Sequence, residues 1–165
     1  MAPTDKTQDS AARLIFVIGP AGAGRSTAIN ALEDIGYEVI HSLPMSLLDW
    51  LLAGPATDHP LAVGLDVRNR DFGVKNLVHT IDRLSQDDRI HMQLLFLDCS
   101  DDELVRRFSE TRRRHPLAQQ EGPVLGIEQE KSLLVPLRAR AEFLIDTTGR
   151  SEEHTSELQS RPHIS

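Results

Sequence analysis

Apolar residues follow two alternating patterns along the chain, and the alternation predicts the order of its strands and helices. The run at residues 13–18 is rich in apolar residues on both faces, as in a strand buried inside a parallel sheet. Ala28, Ile29 and Leu32 then recur at helical spacing, and Gly36 stands where a helix commonly ends. The predicted strands span residues 13–18, 37–40, 61–67, 92–97 and 143–145. The predicted helices span residues 26–35, 44–52, 72–84, 101–114 and 126–141, with an interruption of the last one near Pro136.

Strands and helices alternate over almost the whole length, and no internal repeat is visible. Such alternation predicts an α/β fold in which a mostly parallel sheet of about five strands carries helices on both faces. We assign residues 13–149 to this single domain and interpret residues 1–12 as a flexible polar leader.

The character of the sequence changes at residues 150–165, which are polar and lack an apolar stripe. One interpretation is a disordered acidic tail. The other is that this segment resembles the translated sequence of a common sequencing-adapter oligonucleotide. We favour the second, which predicts that the segment is not native protein and that the native sequence beyond about residue 149 is cut short.

Composition excludes several classes of function. The net charge of −7 over 165 residues provides no chain-wide basic surface for nucleic acid. No apolar run approaches the ~20 residues that a membrane-spanning helix needs, so we predict no membrane contact. A single cysteine, Cys99, cannot form an internal disulfide, which is typical of a protein of the reducing cytoplasm.

A glycine-rich turn with a basic residue and a hydroxyl carries the strongest chemical signal. It lies directly between the first predicted strand and the first predicted helix. Glycines allow left-handed torsions that turn successive N–H groups inward, and the helix N-terminus favours a bound phosphate. The pattern therefore predicts a Walker A-type phosphate-binding loop, a P-loop NTPase-like three-layer sandwich, and Mg²⁺ coordinated by the Ser26 hydroxyl together with the nucleotide. The predicted loop residues are Gly19, Pro20, Ala21, Gly22, Ala23, Gly24, Arg25 and Ser26.

Arg25 departs from the usual loop, which has lysine at this position. Lysine is a compact point charge, whereas the guanidinium group is broad, planar and permanently charged. Phosphate binding tolerates the change because the loop amides contribute much of it, but phosphoryl transfer depends on closer placement. The sequence therefore predicts nucleotide binding more strongly than catalysis, and catalytic residues cannot be assigned.

Two acids follow predicted strands at the sheet edge where ligands bind in open α/β folds. Asp98 is a candidate for holding Mg²⁺, with helix capping as the alternative. Asp66 lies beside charged and amide side chains that could contact the base or ribose. The candidate binding segment comprises Asp66, Val67, Arg68 and Asn69.

Arginines cluster in the fourth predicted helix and just after it. Arg112 and Arg113 are candidates for a lid that closes over bound phosphates, as in nucleotide kinases. The alternative is a solvated helix face, in which Glu103 pairs with Arg107 four residues later. Both interpretations remain open at this point.

Several ordered motifs beyond the loop resemble the bacterial family of RNase adapter and nucleotide-binding proteins called RapZ or YvcJ. The resemblance extends over residues 13–148, and the arginine-rich stretch is its most specific part. Arg25 replaces the lysine of this family, and His41 and Ser42 replace its Asp-Asn pair. The matching segments are residues 31–37, 43–44, 66–69, 94–98, 106–116, 130–138 and 145–147.

The resemblance implies a cytoplasmic domain that binds ATP or GTP with Mg²⁺ and hydrolyses it weakly or not at all. In this family a second domain binds small regulatory RNA; we expect it to be missing here, so RNA is not an expected partner. Surface meant for that domain predicts self-association. Two alternatives of other classes remain, namely a small-molecule kinase of P-loop fold and an interaction scaffold that has lost its nucleotide.

Overall fold

Six strands and five helices make up the structure, a computed structural model that describes residues 11–55, 58–68, 71–111, 122–149 and the backbone of residues 161–162. A short 3₁₀ turn, Met45–Leu47, leads directly into α2. The strands are β1 Ala12–Ile18, β2 Glu38–Ile40, β3 Leu61–Gly64, β4 Ile90–Asp98, β5 Phe143–Asp146 and β6 Arg161–Pro162. The helices are α1 Arg25–Asp34, α2 Leu48–Leu52, α3 Val74–Ser85, α4 Asp101–Thr111 and α5 Pro123–Arg140.

The strands form one sheet in the order β2-β3-β1-β4-β5-β6. The pairs from β2 to β5 are parallel, and β6 pairs antiparallel with β5. β1 lies between β3 and β4. The strands that follow β1 in the chain are therefore added first on one side of it, as β2 and β3, and then on the other side, as β4 and β5. In open α/β sheets such a reversal opens a crevice outside the carboxyl ends of the strands. The loop that follows β1 lies at this edge.

Side chains of β1 enter two separate cores, one on each face of the sheet. Phe16 and Ile18 belong to the core that α3 and the C-terminal half of α5 cover. Ile15 and Val17 belong to the core that α1 and α4 cover. Burial on both faces explains why this strand is a nearly continuous apolar run. The predicted α/β three-layer sandwich with a mostly parallel sheet is confirmed.

The predicted end of the first helix is confirmed in detail. Gly36 adopts a left-handed conformation with φ of 103°. Its N–H donates to the Glu33 carbonyl, and the Tyr37 N–H donates to the Leu32 carbonyl. This pair of hydrogen bonds is the Schellman arrangement, which favours glycine because a Cβ atom strains the left-handed region.

The predicted interruption near Pro136 is wrong, since α5 continues through this residue to Arg140. Proline removes one helical hydrogen bond, the one that would reach the Ser132 carbonyl. Both Pro136 and Ser132 are exposed, so water can satisfy the released carbonyl. The Pro136 carbonyl itself still accepts a hydrogen bond from the Arg140 side chain.

The predicted segments at the two ends lie largely outside the described residues. Residues 1–10 of the predicted leader are among those outside. Within the predicted tail, Arg161–Pro162 differs from a disordered segment because it pairs with β5. An edge strand offers unpaired backbone groups to any extended segment nearby, which accounts for this pairing. The assignment of residues 13–149 to one domain stays a prediction.

Two large apolar side chains stand out on the described surface. Trp50 is 77% exposed and Ile35 is 73% exposed.

Self-association and a cytoplasmic location stay predictions. Among the helices of the described segments, none combines the length and the hydropathy that crossing a membrane would require.

Candidate functional site

Residues 19–24 connect the carboxyl end of β1 to the first turn of α1. Gly22 and Gly24 have φ values of 88° and 98°, in the left-handed region where side chains are strained. At Gly19, a Cβ atom would lie 2.3 Å from the Leu97 carbonyl oxygen. The loop therefore requires its glycines for two different reasons, backbone torsion and close approach to β4.

The N-terminus of α1 has the features of an anion site. Its N-cap, Gly24, has no side chain to cap the helix, and the first turn carries no acidic residue. The first N–H groups of a helix have no partner within the helix. They carry partial positive charge, so this end of α1 favours a bound phosphate. Ser26 is exposed and lies in this first turn.

The loop side of this site is partly open to solvent. Among the predicted loop residues, Gly22 and Ser26 are exposed, Ala21, Gly24 and Arg25 are half-buried, and Gly19, Pro20 and Ala23 are buried.

Arg25 extends from α1 to the end of β3. Its Nη1 donates to the Leu65 carbonyl at 2.8 Å, and its Nη2 donates to Asp66 Oδ2 at 2.8 Å. Only 15% of the Arg25 side chain is exposed. The structure thus brings the two predicted site segments together through one ion pair, and this pairing was not predicted from the sequence.

Asp66 also binds its neighbour Arg68. The Arg68 backbone N–H donates to Asp66 Oδ1 at 2.9 Å, and the guanidinium Nε donates to Oδ2 at 2.8 Å. Burial alone would raise the pKa of Asp66, but the hydrogen bonds from Arg68 and the charge of Arg25 outweigh it and hold this pKa below its ordinary value. Asp66 is therefore ionised at neutral pH. Val67 is half-buried against the core, and Asn69 lies outside the described residues.

Asp98 lies at the end of β4 and is paired with cations of α5. Its Oδ2 accepts a hydrogen bond from Arg138 Nε at 3.0 Å, and its Oδ1 accepts one from the Cys99 N–H at 2.9 Å. Lys131 Nζ is 3.9 Å from Oδ1. The structure therefore does not bring Asp98 into contact with the Arg25–Asp66 pair.

Arg107 of α4 contacts the glycine-rich loop of residues 19–24, a role that was not predicted from the sequence. Its Nη1 donates to the Gly22 carbonyl at 2.8 Å, and its Nη2 donates to the Thr147 carbonyl at 2.7 Å. The predicted pair with Glu103 is confirmed, with Arg107 Nε 3.1 Å from a Glu103 oxygen. The four-residue spacing of Glu103 and Arg107 indicated their ion pair, but nothing in the sequence indicated the contact of Arg107 with the loop.

Thr147 and Glu130 hold the loop from two further elements. The Thr147 hydroxyl, just after β5, donates to the Ala23 carbonyl at 2.8 Å. Glu130 of α5 is 1% exposed, and its Oε1 accepts the Ala21 N–H at 3.0 Å. Glu130 occurs in a stripe of buried positions with Gly126 and Leu134, so a carboxylate on an apolar helix face was the signal that could have identified it.

The predicted lid residues Arg112 and Arg113 lie outside the described residues. Arg106, earlier in α4, has an exposed side chain that pairs with Glu103 and Glu110. Hydrogen bonds from Arg106, together with those from Arg107, hold the pKa of Glu103 below its ordinary value despite partial desolvation.

The candidate oxygen donors for Mg²⁺ are the exposed Ser26 hydroxyl and the carboxylates of Asp66 and Asp98. Mg²⁺ prefers oxygen ligands, and the carboxylates of Asp66 and Asp98 each also accept hydrogen bonds from an arginine. In the described segments, no three His, Cys, Asp or Glu residues form a group that could hold a metal ion. The predicted coordination of Mg²⁺ by the Ser26 hydroxyl together with the nucleotide, and the candidate role of Asp98 in holding it, stay predictions.

Substitution of Asp66 by asparagine is expected to lower the free energy of unfolding at pH 7 by about 1.5 kcal/mol, because two guanidinium groups lose their anionic partner. The pKa of Asp66 is lowered from 3.8 in the folded chain. The ionised Asp66 therefore contributes fully to the free energy of unfolding above pH 3.8, and this contribution is lost as the pH falls through the folded-state pKa. Urea unfolding at pH 7 and pH 3 measures the effect, and the difference between the two proteins should shrink at pH 3.

The matched control for this prediction is Asp82→Asn. Asp82 is an exposed carboxylate 3.3 Å from Arg140 Nε. Exposed pairs contribute little, so this variant should change the free energy of unfolding by less than about 0.5 kcal/mol at pH 7. A difference between wild type and Asp66→Asn that stays constant on acidification would contradict the assignment.

Comparison with known proteins identifies relatives over the same part of the chain. The family model of the RapZ-like N-terminal domain matches residues 12–161. The chain is 58% identical over 139 residues to Nucleotide-binding protein Rsph17025_2562 of Cereibacter sphaeroides (strain ATCC 17025 / ATH 2.4.3), covering 84% of this chain and 46% of that protein. A nucleotide-binding protein of Jannaschia sp. (strain CCS1) is 54% identical over 137 residues, covering 83% of this chain and 43% of that protein.

A third relative extends the match slightly further. The nucleotide-binding protein of Dinoroseobacter shibae is 52% identical over 147 residues, covering 89% of this chain and 48% of that protein. The chain spans about half the length of the curated relatives it matches. The family model covers most of the length of the chain. The chain therefore belongs to the RapZ-like N-terminal domain family.

Proposed function

We propose that this chain binds ATP or GTP, with the triphosphate on residues 19–26 and the remainder of the nucleotide against residues 66–69. The observation that carries the proposal is the loop itself, where left-handed Gly22 and Gly24 lead into an uncapped helix N-terminus. Such a turn directs backbone N–H groups at a phosphate and adds the favourable helix dipole. The names of the relatives, which are nucleotide-binding proteins, support the same function.

Arg68 supports the second part of the proposal. Its guanidinium group is anchored to Asp66 yet 59% exposed at the sheet edge. An arginine fixed in this way presents unused N–H donors to phosphate or ribose oxygens with little loss of side-chain entropy. Residues 66–68 therefore extend the phosphate-binding surface beyond the loop.

Hydrolysis should be weak or undetectable. Arg25 occupies the position of the loop lysine, and its guanidinium group is bound to the Leu65 carbonyl and to Asp66. Phosphoryl transfer requires a cation placed closely against the transferring group, and a clamped guanidinium is poorly suited to follow it. We propose that nucleotide binding serves a regulatory role in a RapZ-like protein.

Calorimetric titration with ATP and with GTP tests the binding proposal. We expect saturable binding of one nucleotide per chain. Gly24→Ala should abolish it, because a Cβ atom strains the loop at a φ of 98°. The matched control Gly36→Ala bears the same kind of strain at a φ of 103° with no atom within 4 Å, so it should retain binding. Absence of heat or saturation with millimolar nucleotide would refute the proposal.

A further inference from the structure

Two guanidinium groups from separate parts of the chain share one buried carboxylate beside the glycine-rich loop. Arg25 Nη2 and Arg68 Nε each donate a hydrogen bond to Asp66 Oδ2, both at 2.8 Å. Only 7% of the Asp66 side chain is exposed. Because the two guanidinium groups bind the same oxygen atom, they lie next to each other just beyond the carboxyl end of β3.

We propose that Arg68 binds the terminal phosphate of the nucleotide, so that this chain binds nucleoside triphosphates in preference to diphosphates. The proposal rests on the proposed nucleotide function and makes it more specific. Of the phosphate and ribose oxygens that an arginine at this edge could contact, Arg68 selects those of the last phosphate.

Arg68 has hydrogen-bond donors that the protein does not use. A guanidinium group carries five N–H groups, and Arg68 donates one from Nε and one from Nη2 to Asp66. Its other N–H groups have no partner among the residues that the structure describes. The side chain is 59% exposed, so these donors are open to a ligand. Because Asp66 already fixes its position, Arg68 loses little side-chain entropy on binding.

The direction of the Arg25 side chain indicates where the terminal phosphate would lie. Arg25 occupies the position of the loop lysine, which in P-loop proteins reaches the last two phosphates. Its guanidinium group extends from the first turn of α1 to the Leu65 carbonyl and Asp66. A triphosphate bound at the helix N-terminus and extended along this side chain would therefore have its last phosphate beside Arg68.

Arg68 also lies close to the part of the loop that α5 holds. Hydrogen bonds to Asp66 raise the pKa of the Arg68 guanidinium, and the charges of Asp66 and Glu130 add to this rise despite partial desolvation. Glu130 is the carboxylate that accepts the Ala21 N–H at 3.0 Å. Its charge acts on Arg68 because the two groups are near each other. Since both carboxylates are buried, a ligand at this edge meets the exposed guanidinium group instead.

The other two arginines beside the loop are less suited to this contact. Arg107 donates to the carbonyl groups of Gly22 and Thr147, and only 20% of its side chain is exposed. Arg25 is 15% exposed. Among the arginines that the structure describes around the loop, Arg68 therefore offers the most accessible guanidinium group.

The last phosphate is the part of a nucleotide that best matches this side chain. Its three acceptor oxygens are negatively charged, and a guanidinium fork binds two such oxygens at once. Ribose hydroxyls are neutral and form weaker hydrogen bonds with a cation. A diphosphate bound at the same helix N-terminus would end one phosphate short of Arg68 and lose this contact.

Calorimetric titration of the full chain with ATP, ADP, GTP and GDP in excess Mg²⁺ tests the proposal. For whichever purine binds, we expect the triphosphate to bind at least about tenfold more tightly than the diphosphate. A smaller preference, or none, would overturn the proposal and leave the proposed function intact. Absence of binding by all four nucleotides would instead overturn the proposed function, and the proposal with it.

Arg68→Gln identifies the residue responsible for the preference. We expect this variant to bind the triphosphate about tenfold more weakly and to bind the diphosphate within about twofold of wild type. Equal weakening for both nucleotides would show that Arg68 contacts a part that they share, which would overturn the assignment. Unchanged binding of the triphosphate would also overturn it.

Arg89→Gln is the matched control. The backbone N–H, Nε and Nη2 of Arg89 donate to Asp87, two residues earlier, as the same groups of Arg68 do to Asp66. Arg89 lies just before β4, at the opposite edge of the sheet from the loop. The variant should therefore leave the dissociation constants of triphosphate and diphosphate unchanged.

Thermal unfolding of each variant accompanies the titrations. If Arg68→Gln does not fold, wild type and Arg68→Lys decide the matter. Lysine keeps the charge but lacks the guanidinium fork, so Arg68→Lys should prefer the triphosphate less strongly than wild type does. An unchanged preference in Arg68→Lys would overturn the proposal.

Discussion

Substitution of Gly19 by alanine is expected to lower the free energy of unfolding by at least about 3 kcal/mol and to eliminate nucleotide binding. The added Cβ atom would lie 2.3 Å from the Leu97 carbonyl oxygen and 3.1 Å from Leu97 Cβ. Since the first of these is a backbone atom in the central sheet, no side-chain rotation relieves the overlap. Either β4 or the loop must move, and the loop loses its shape in both cases. Urea unfolding and nucleotide titration measure the two effects.

The control for this prediction is Gly73→Ala. At Gly73 the nearest side-chain atoms are 3.6 Å away, an ordinary contact, and the backbone is extended with a φ of −142°. Alanine fits this position without strain, so the free energy of unfolding should change by less than about 1 kcal/mol and binding should be retained. A Gly19→Ala protein as stable as Gly73→Ala would contradict the close approach of the loop to β4.

Substitution of Arg107 by alanine is expected to cost about 3 kcal/mol of stability and to weaken nucleotide binding strongly. The change removes hydrogen bonds to the Gly22 carbonyl and the Thr147 carbonyl, together with the pair to Glu103. Each bond to a charged group contributes roughly 1 kcal/mol or more, and the side chain is largely buried at 20% exposure. The loop then loses its connection to α4, while its amides stay chemically unchanged.

Arg106→Ala is the matched control for Arg107→Ala. Arg106 is the neighbouring arginine of the same helix and pairs with the same glutamate, but its side chain is 54% exposed and its second partner, Glu110, is 60% exposed. Exposed pairs contribute less than about 1 kcal/mol, so stability should change little and nucleotide binding should be retained. If the two variants lost equal amounts of stability and of nucleotide binding, the effect would come from the charge of the helix and not from the contact of Arg107 with the loop.

Side chains from three other elements hold the glycine-rich loop of residues 19–24 in its shape. Arg107 holds the Gly22 carbonyl, Thr147 holds the Ala23 carbonyl, and Glu130 accepts the Ala21 N–H. These contacts come from α4, the end of β5 and α5. Because these hydrogen bonds fix the backbone groups of Ala21, Gly22 and Ala23, the torsions of the loop are constrained, and binding a phosphate would cost less conformational entropy.

Much of the fold could be predicted from the sequence because its parallel strands are short apolar runs bounded by glycine, proline or charge. The Gly36 helix end is a local signal, and local chemistry decides it. The prediction at Pro136 was wrong because the free-energy cost of a proline inside a helix depends on whether water reaches the carbonyl that it leaves unbonded. The sequence does not show that this carbonyl, at Ser132, is on an exposed face. The strand at residues 161–162 pairs through backbone groups and has no side-chain signature.

The candidate site could be predicted only in part. Its loop and Asp66 follow strands at one sheet edge, and strand order along the chain reveals that much. The partners of Arg25 and Arg107 depend on side chains from elements far apart in sequence, and charge patterns within one helix do not specify them. Glu130 could be identified from the sequence as a carboxylate on a buried helix face. The sequence did not indicate which group it binds.

The position of β1 in the middle of the sheet has a consequence for how the chain folds during synthesis. β1 is made early, but its two neighbours are β3 and β4, and β4 emerges much later from the ribosome. Until then one edge of a strongly apolar strand has no partner, and forming the pair requires closing a long segment of chain. We therefore expect slow folding and a dependence on chaperones while the nascent chain is incomplete.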